Sequence, residues 1–301
     1  MHGVAGGDRA KAIAALEKAV AASDRYPGHF SELDTLYAAA AESPARRLAL
    51  LEAHQPAIVD SDECLARLIR LKTLAGKADE AIGLLSGHTF NIWEGGTLFN
   101  TGESWTDAHL VRGLQRLHAG QAQGALEDFT AAAAYPENLR AVPDSGGRAA
   151  ELAYWRGCAE DALGHPDRAR QAWGEAAAAA AAPEGRGRAG GGADAGAATA
   201  RQGAQRYYQA LARQKLGQPA EADFGRLVAA GEAALAAASA DSSPAAADVL
   251  PPARARSAAG HYLIALGNLG LGAADQARAQ TAAALEANPE LLGATIAAGR
   301  W

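Results

Sequence analysis

The densest collection of chemically capable side chains is the stretch FNIWEGGTLFNTGESW, residues 90–105. Trp93 and Trp105 could offer flat apolar faces to a sugar ring or a peptide side chain, while Glu94 and Glu103 accept hydrogen bonds. Gly95 and Gly96 let the chain turn back at positive φ. A two-carboxylate glycosidase would need Glu94 and a second acid, Glu103 or Asp107, about 5–10 Å apart around an enclosed sugar. Nothing in the spacing enforces that arrangement. In the competing reading Trp93 fills a gap between helix pairs, where burying a large aromatic stabilises by about 1.5–3 kcal/mol with no ligand at all. The packing reading is preferred.

Other chemical motifs fail on context. GRGRAG, residues 185–190, matches the dinucleotide-binding fingerprint, but that turn needs a strand before it and a helix opening at it. An alanine-rich helix precedes it here and low-complexity sequence follows. Ser104, Asp107 and His109 are close in sequence, yet a triad is defined by geometry. Ser145 in PDSGG lacks the strand and first glycine of a nucleophile elbow. The eight histidines show no i, i+4 pair and no HExxH, so no metal site is expected. No catalytic residue and no cofactor are expected, and the chain reads as non-enzymatic.

Composition narrows the partners. A net charge of −6 argues against nucleic acid, which requires a basic field. No run approaches the roughly 18 apolar residues of a membrane span, and Met1 to Asp8 lacks a signal-peptide core. A cytoplasmic location is the default, with a signal peptide upstream of Met1 left open. Cys64 and Cys158 read as small buried apolar residues, since two cysteines make no disulfide framework.

What must position any site is a recurring unit: Gly, five residues to Ala, four to a bulky residue, three to Ala. Gly120, Ala125, Phe129, Ala132 and Gly164, Ala169, Trp173, Ala176 are the clearest copies. Looser ones start at Gly76 (Ala81, Leu85, then His88 in place of the last Ala), Gly217 (Ala222, Arg226, Ala229) and Gly272 (Ala277, Thr281, Ala284). Seven residues before each glycine the residue is small, as in Gly113, Gly157, Ala210 and Ala265, with Ile69 the exception. Antiparallel helices joined by a tight turn need small residues where their axes cross and a large one as a wedge, so the pattern predicts an all-α array of helix pairs. Gly7, Ala12, Leu16 and Ala19 extend it backward and predict a second helix over 8–22 without its first. That makes the chain read as the C-terminal part of a longer protein, or as one whose unpaired first helix is covered by another chain. A degenerate unit fits Glu42, Arg47, Leu51 and His54. The intervals between units are 35, 34, 44, 44, 53 and 55 residues, the first two matching the 34-residue tetratricopeptide period.

ALEDFTAAAAYPENL (125–139) and HYLIALGNLGLGAADQARAQTAAALEANP (261–289) resemble tetratricopeptide repeats. More narrowly, LLSGHTFNIWEGG (84–96) with YPENL resembles the C-terminal repeat region of large bacterial proteins that open with an uncharacterised β-rich domain, of a kind associated with carbohydrate-active enzymes. This chain has Ile92 where those have proline, and lacks their longer acidic-glycine continuation. The resemblance implies a right-handed superhelical solenoid. Its segments would be degenerate repeats over 1–59 starting with an unpaired helix, core repeats over 60–182 and further repeats over 204–301; residues 183–203 fall outside the resemblance, and their Gly/Ala-rich composition reads as a flexible spacer. The resemblance implies a scaffold that binds a protein segment or an upstream domain of the same polypeptide, through a groove whose first-helix candidates are His109, Arg112, Arg116, Tyr154, Arg156, Tyr207 and Arg213. The alternative it carries is an accessory region of a carbohydrate-active enzyme, with Trp93, Glu94, Gly95, Gly96 and Trp105 lining a sugar site.

Overall fold

The computed structural model describes residues 6–91, 100–141, 147–180, 193–240 and 252–299. Among these the chain is all-helical, with no strand. The helices are α1 (Gly6–Ala22), α2 (Pro27–Ala39), α3 (Pro44–Ala53), α4 (Gln55–Ile58), α5 (Asp62–Leu74), α6 (Ala78–Gly87), α7 (Thr101–His118), α8 (Ala122–Ala131), α9 (Ala149–Ala162), α10 (Pro166–Ala178), α11 (Ala193–Lys215), α12 (Glu221–Ala240), α13 (Pro252–Gly270), α14 (Ala274–Ala287) and α15 (Leu292–Ala297), with a 3-10 turn at Glu137–Leu139.

Five helix pairs turn on the five glycines of the sequence pattern. Gly76, Gly120, Gly164, Gly217 and Gly272 all adopt φ between 73° and 77°, a left-handed conformation that costs other L-residues about 1–2 kcal/mol. Each turn is a Schellman motif. At Gly120, for example, the Gly120 amide donates to Leu117 O and the Gln121 amide to Arg116 O, satisfying carbonyls that the end of α7 leaves open. The degenerate unit uses the same device with Ala41 at φ 60°, one residue before the expected Glu42. Its helix keeps the expected phase, with Arg47 and Leu51 buried.

Packing within the pairs follows the small-against-large rule. A Cβ on Gly113 would lie 2.4 Å from the Phe129 ring, and one on Gly157 would lie 2.4 Å from the Trp173 indole. Phe129 and Ala125 are fully buried.

The α11–α12 pair departs from the expected phase. In the other four pairs the second helix begins two residues after the glycine; here Pro219 sits in the turn and α12 begins at Glu221, four residues after Gly217. The buried positions move with it. Ala222, Arg226 and Ala229 are exposed, while Phe224 and Gly231 are buried and Val228 is half-buried. Phe224 packs on Gly270, Val228 on Gly267 and Gly231 on Gly260, so α12 lies chiefly along α13.

A second correction concerns the expected spacer over 183–203. Residues 181–192 are outside the described residues, but 193–203 form the start of α11. Alanine favours helix, and Gly196 and Gly203 let it approach α13, where added Cβ atoms would meet Ala255 and Leu263 within 3 Å.

Contacts divide the described residues into two units, one of 6–91, 100–108 and 135–141, the other of 109–134, 147–180, 193–240 and 252–299. The division falls inside α7. The first unit is built around Phe30, Leu33, Leu51, Ile58 and Leu68, and around Leu65, Ile69, Leu85, Phe90 and Leu139. The second is built around Phe129 and Leu114, and around Trp173, Tyr208, Phe224 and Tyr262.

Two kinds of glycine are therefore present, and substitution separates them. Gly157→Val forces side-chain atoms into Trp173 and is expected to destabilise by about 1–3 kcal/mol through overpacking. Gly120→Ala meets nothing within 4 Å and is expected to lose only about 1–2 kcal/mol to backbone strain. Urea denaturation of both variants checks this, and an unchanged midpoint for Gly157→Val would show that the packing assigned to the pair is wrong.

Candidate functional site

The described segments on either side of residues 92–99 are held by hydrogen bonds. Asp62, at the N-terminus of α5, accepts from the Asn91 amide at 2.8 Å and from Asn91 Nδ2 at 3.0 Å, and stands 2.6 Å from His88 Nε2. Burial pushes the Asp62 carboxyl up, but the hydrogen bonds from His88 and Asn91 outweigh it and hold the group below its ordinary pKa. Asn138, in the YPENL turn, donates through Nδ2 to Leu85 O and His88 O, and its carbonyl accepts from the Phe90 amide at 3.0 Å. At the far stem Thr101 donates to Leu139 O. The two stretches that carry the narrower resemblance, 84–91 and 135–139, are thus joined in one cluster. Trp105 belongs to the core there, 8% exposed among Phe90 and Leu139, and offers no open face. Trp93, Glu94, Gly95 and Gly96 lie outside the described residues.

Most of the first-helix groove candidates turn toward their own second helix. Asp128 on α8 is buried, and His109, Arg112 and Arg116 of α7 converge on it. His109 Nδ1 is 2.8 Å from Oδ1, Arg112 Nη2 donates to Oδ1 at 2.7 Å, and Arg116 Nη1 lies 2.9 Å from Oδ2. Desolvation raises the Asp128 pKa, but the hydrogen bonds from His109 and Arg112 and the charges of Arg112 and Arg116 prevail and depress it. The same cross-helix position recurs in the last pair, where His261 Nδ1 is 2.7 Å from Gln280 Oε1. In both, the histidine stands eleven residues before the turn glycine and its partner eight after.

The tyrosines are core residues. Tyr154 is 8% exposed and packs on Trp155 and Tyr208, while Tyr207 packs on Tyr208 and Phe224. Burial pushes the Tyr207 hydroxyl up to about 12 and Tyr154 higher still. Both cysteines are free thiols, and burial raises the pKa of each.

Arg156 and Arg213 do reach open surface, each lining a recess. The first, about 340 Å³, lies among α8, α9 and α10; Arg156 and Arg168 face Glu160 and Glu175 there, and Arg156 Nη2 donates to Glu175 at 2.7 Å. The second, about 370 Å³, lies between α11 and α12 and is lined by Arg206, Gln209, Arg213, Asp223, Arg226 and Leu227. Asp223 accepts from Arg213 Nη1 at 2.6 Å and from Arg226 Nη1 at 2.8 Å.

Sequence reasoning passed over the second-helix acids Asp128, Glu175 and Asp223 and the loop anchors Asp62 and Asn138. Asp128 had one available signal, a carboxylate inside the otherwise small-residue face of α8. Among the described residues, no three His, Cys, Asp or Glu side chains are grouped to hold a metal ion, and no helix is long and apolar enough to cross a membrane. No family model matches the chain.

The buried Asp128 cluster makes the stability of the α7–α8 pair acid-sensitive. Its folded pKa lies below the roughly 3.9 of an unfolded aspartate, so its stabilisation is complete above that pH and disappears as the pH falls toward the folded value. Asp128→Asn is expected to cost about 1–3 kcal/mol at neutral pH by leaving the half-buried Arg112 and Arg116 without their counter-charge, and to flatten the acid limb of a urea-midpoint against pH curve. Parallel limbs for wild type and variant would overturn this.

Proposed function

We propose that this chain is a non-catalytic scaffold, a tetratricopeptide-like right-handed solenoid that binds a protein segment or an adjoining domain. The observation that carries the reading is the repeated helix pair itself. Five second helices are each held by the same glycine turn, and the buried charges of the groove candidates are spent on internal pins. Two recesses between helices open to the surface among the described residues, lined by long charged side chains suited to reading a polypeptide. Buried Tyr154, half-buried Tyr207 and the neutralised Asp128 line neither recess and so present no base or nucleophile to them.

A second reading has one observation in its favour. The stems on either side of 92–99 are pinned by Asp62, Asn138 and Leu139, which would hold Trp93 and its neighbours as a recognition loop for a carbohydrate, on an accessory region of a carbohydrate-active enzyme.

The two readings separate experimentally. A photocrosslinking p-benzoylphenylalanine placed at Arg168 in the first recess is expected to capture a protein from source-cell extract, while the same group at the exposed Lys18 captures none. Equal labelling from both positions would count against the groove. Trp93→Ala is expected to leave that capture in place while lowering the melting temperature, as loss of a packed aromatic would; loss of binding on a glycan array by a Trp93→Ala protein with an unchanged melting curve would favour the carbohydrate reading instead.

A further inference from the structure

The two recesses differ in charge. In the first, two guanidiniums face two carboxylates. In the second, Arg206, Arg213 and Arg226 face only Asp223, leaving two positive charges uncompensated on a chain whose net charge is −6. Asp223 already serves Arg213 and Arg226 together. Arg206 is exposed and, among the described residues, forms no ion pair or hydrogen bond.

The reason Arg206 stands alone lies in the turn. It is eleven residues before Gly217, the place that His109 and His261 hold before their own glycines, where Asp128 and Gln280 accept from eight residues after. The two-residue delay of α12 moves that receiving place from the eighth residue after the glycine to the tenth, Leu227, which has no acceptor. Leu227 is 2% exposed and lines the recess. Gln209 donates to Ala179 O at 2.7 Å and does not neutralise anything. Arg206, Gln209 and Arg213 are spaced i, i+3, i+7 and so share a face of α11, with Arg206 and Arg213 separated by about 10 Å of helix rise.

We propose that the α11–α12 recess receives an acidic polypeptide segment, one carboxylate bound by Arg206 and a second by the Arg213–Arg226 pair. This rests on the reading of the chain as a protein-binding scaffold. Charge complementarity selects the partner: guanidinium forks match carboxylates in geometry and charge. A separation of about 10 Å corresponds to residues i and i+3 of a polyproline II-type extended segment, whose three-residue turn returns both side chains to one face. Tracking a nucleic-acid backbone needs a series of basic contacts, whereas this is one recess of about 370 Å³ on an acidic protein.

Fluorescence anisotropy with the full chain tests it, using a short labelled peptide carrying glutamates at i and i+3 and its glutamine counterpart. The glutamate peptide is expected to bind, to weaken as salt rises from about 50 to 500 mM, and to lose about tenfold or more in affinity to Arg206→Gln/Arg226→Gln. Both residues are exposed, so the melting curve of that variant is expected to match wild type; Arg206→Gln alone provides a milder second variant. Equal binding of the glutamine peptide, equal binding to the variants, or preferential binding of a single-stranded oligonucleotide would overturn the proposal. If the peptide fails to bind while Arg168-directed crosslinking still captures a protein, the acidic-segment proposal falls and the scaffold stands. If both fail, both fall.

Discussion

Everything in the helix pairs depends on reversing the chain within about three residues without leaving carbonyls unsatisfied. The left-handed glycine solves both problems at once: it turns the backbone, and the Schellman hydrogen bonds close the end of the first helix. Its position also fixes where the second helix starts, and a helix start fixes which residues face inward. Four pairs share one offset and bury the same positions. The fifth adds two residues to the turn, and its buried face moves by two. Ala41 shows that the conformation rather than the glycine is the requirement, since the degenerate unit adopts it at φ 60° with a side chain present.

Close approach of helices has an electrostatic consequence. Small residues at the crossings bring the two backbones together, so charged side chains near the crossing are taken out of water. Asp34 is fully buried and meets Arg47 through two hydrogen bonds at 2.7 and 2.8 Å, with Arg67 at 3.1 Å. Lys72 is 3% exposed and held by Glu52 and Glu80. Asp128 has two guanidiniums and an imidazole. Such clusters add little net stability relative to apolar packing, but removing one member leaves a buried charge exposed to nothing. They act as registers: each fixes one helix along and around its neighbour.

The fold was largely legible because the constraint is written in one residue type. The five glycines, the wedge of Phe129 on Gly113 and of Trp173 on Gly157, and the helix over 8–22 follow from spacing alone. Where spacing and conformation part, the pattern misled. Ala222, Arg226 and Ala229 keep the spacing yet face solvent, because Pro219 delays the helix. Residues 193–203 look too small to bury anything, yet their smallness is what lets α11 approach α13. The candidate site was less legible for a related reason. His109, Arg112 and Arg116 are long polar side chains on a first helix, and only the phase of α8 reveals that Asp128 stands opposite them. The stems of the loop were visible as two separate stretches, 84–91 and 135–139; that Asn138 ties them together is a long-range contact no local pattern encodes.

The same phase argument separates cations that hold the fold from those left to bind. A basic side chain on a first helix is neutralised whenever the second helix presents an acceptor at the matching position, as Asp128 does for Arg112 and Arg116. Where the second helix is rotated, the acceptor place passes to an apolar residue and the cation is released to solvent. Arg206 opposite Leu227 is that case. A delay in one turn, small enough to leave the pair intact, therefore changes the charge of the surface beside it. The two residues added after Gly217 thus give this pair both a different buried face and a different surface chemistry.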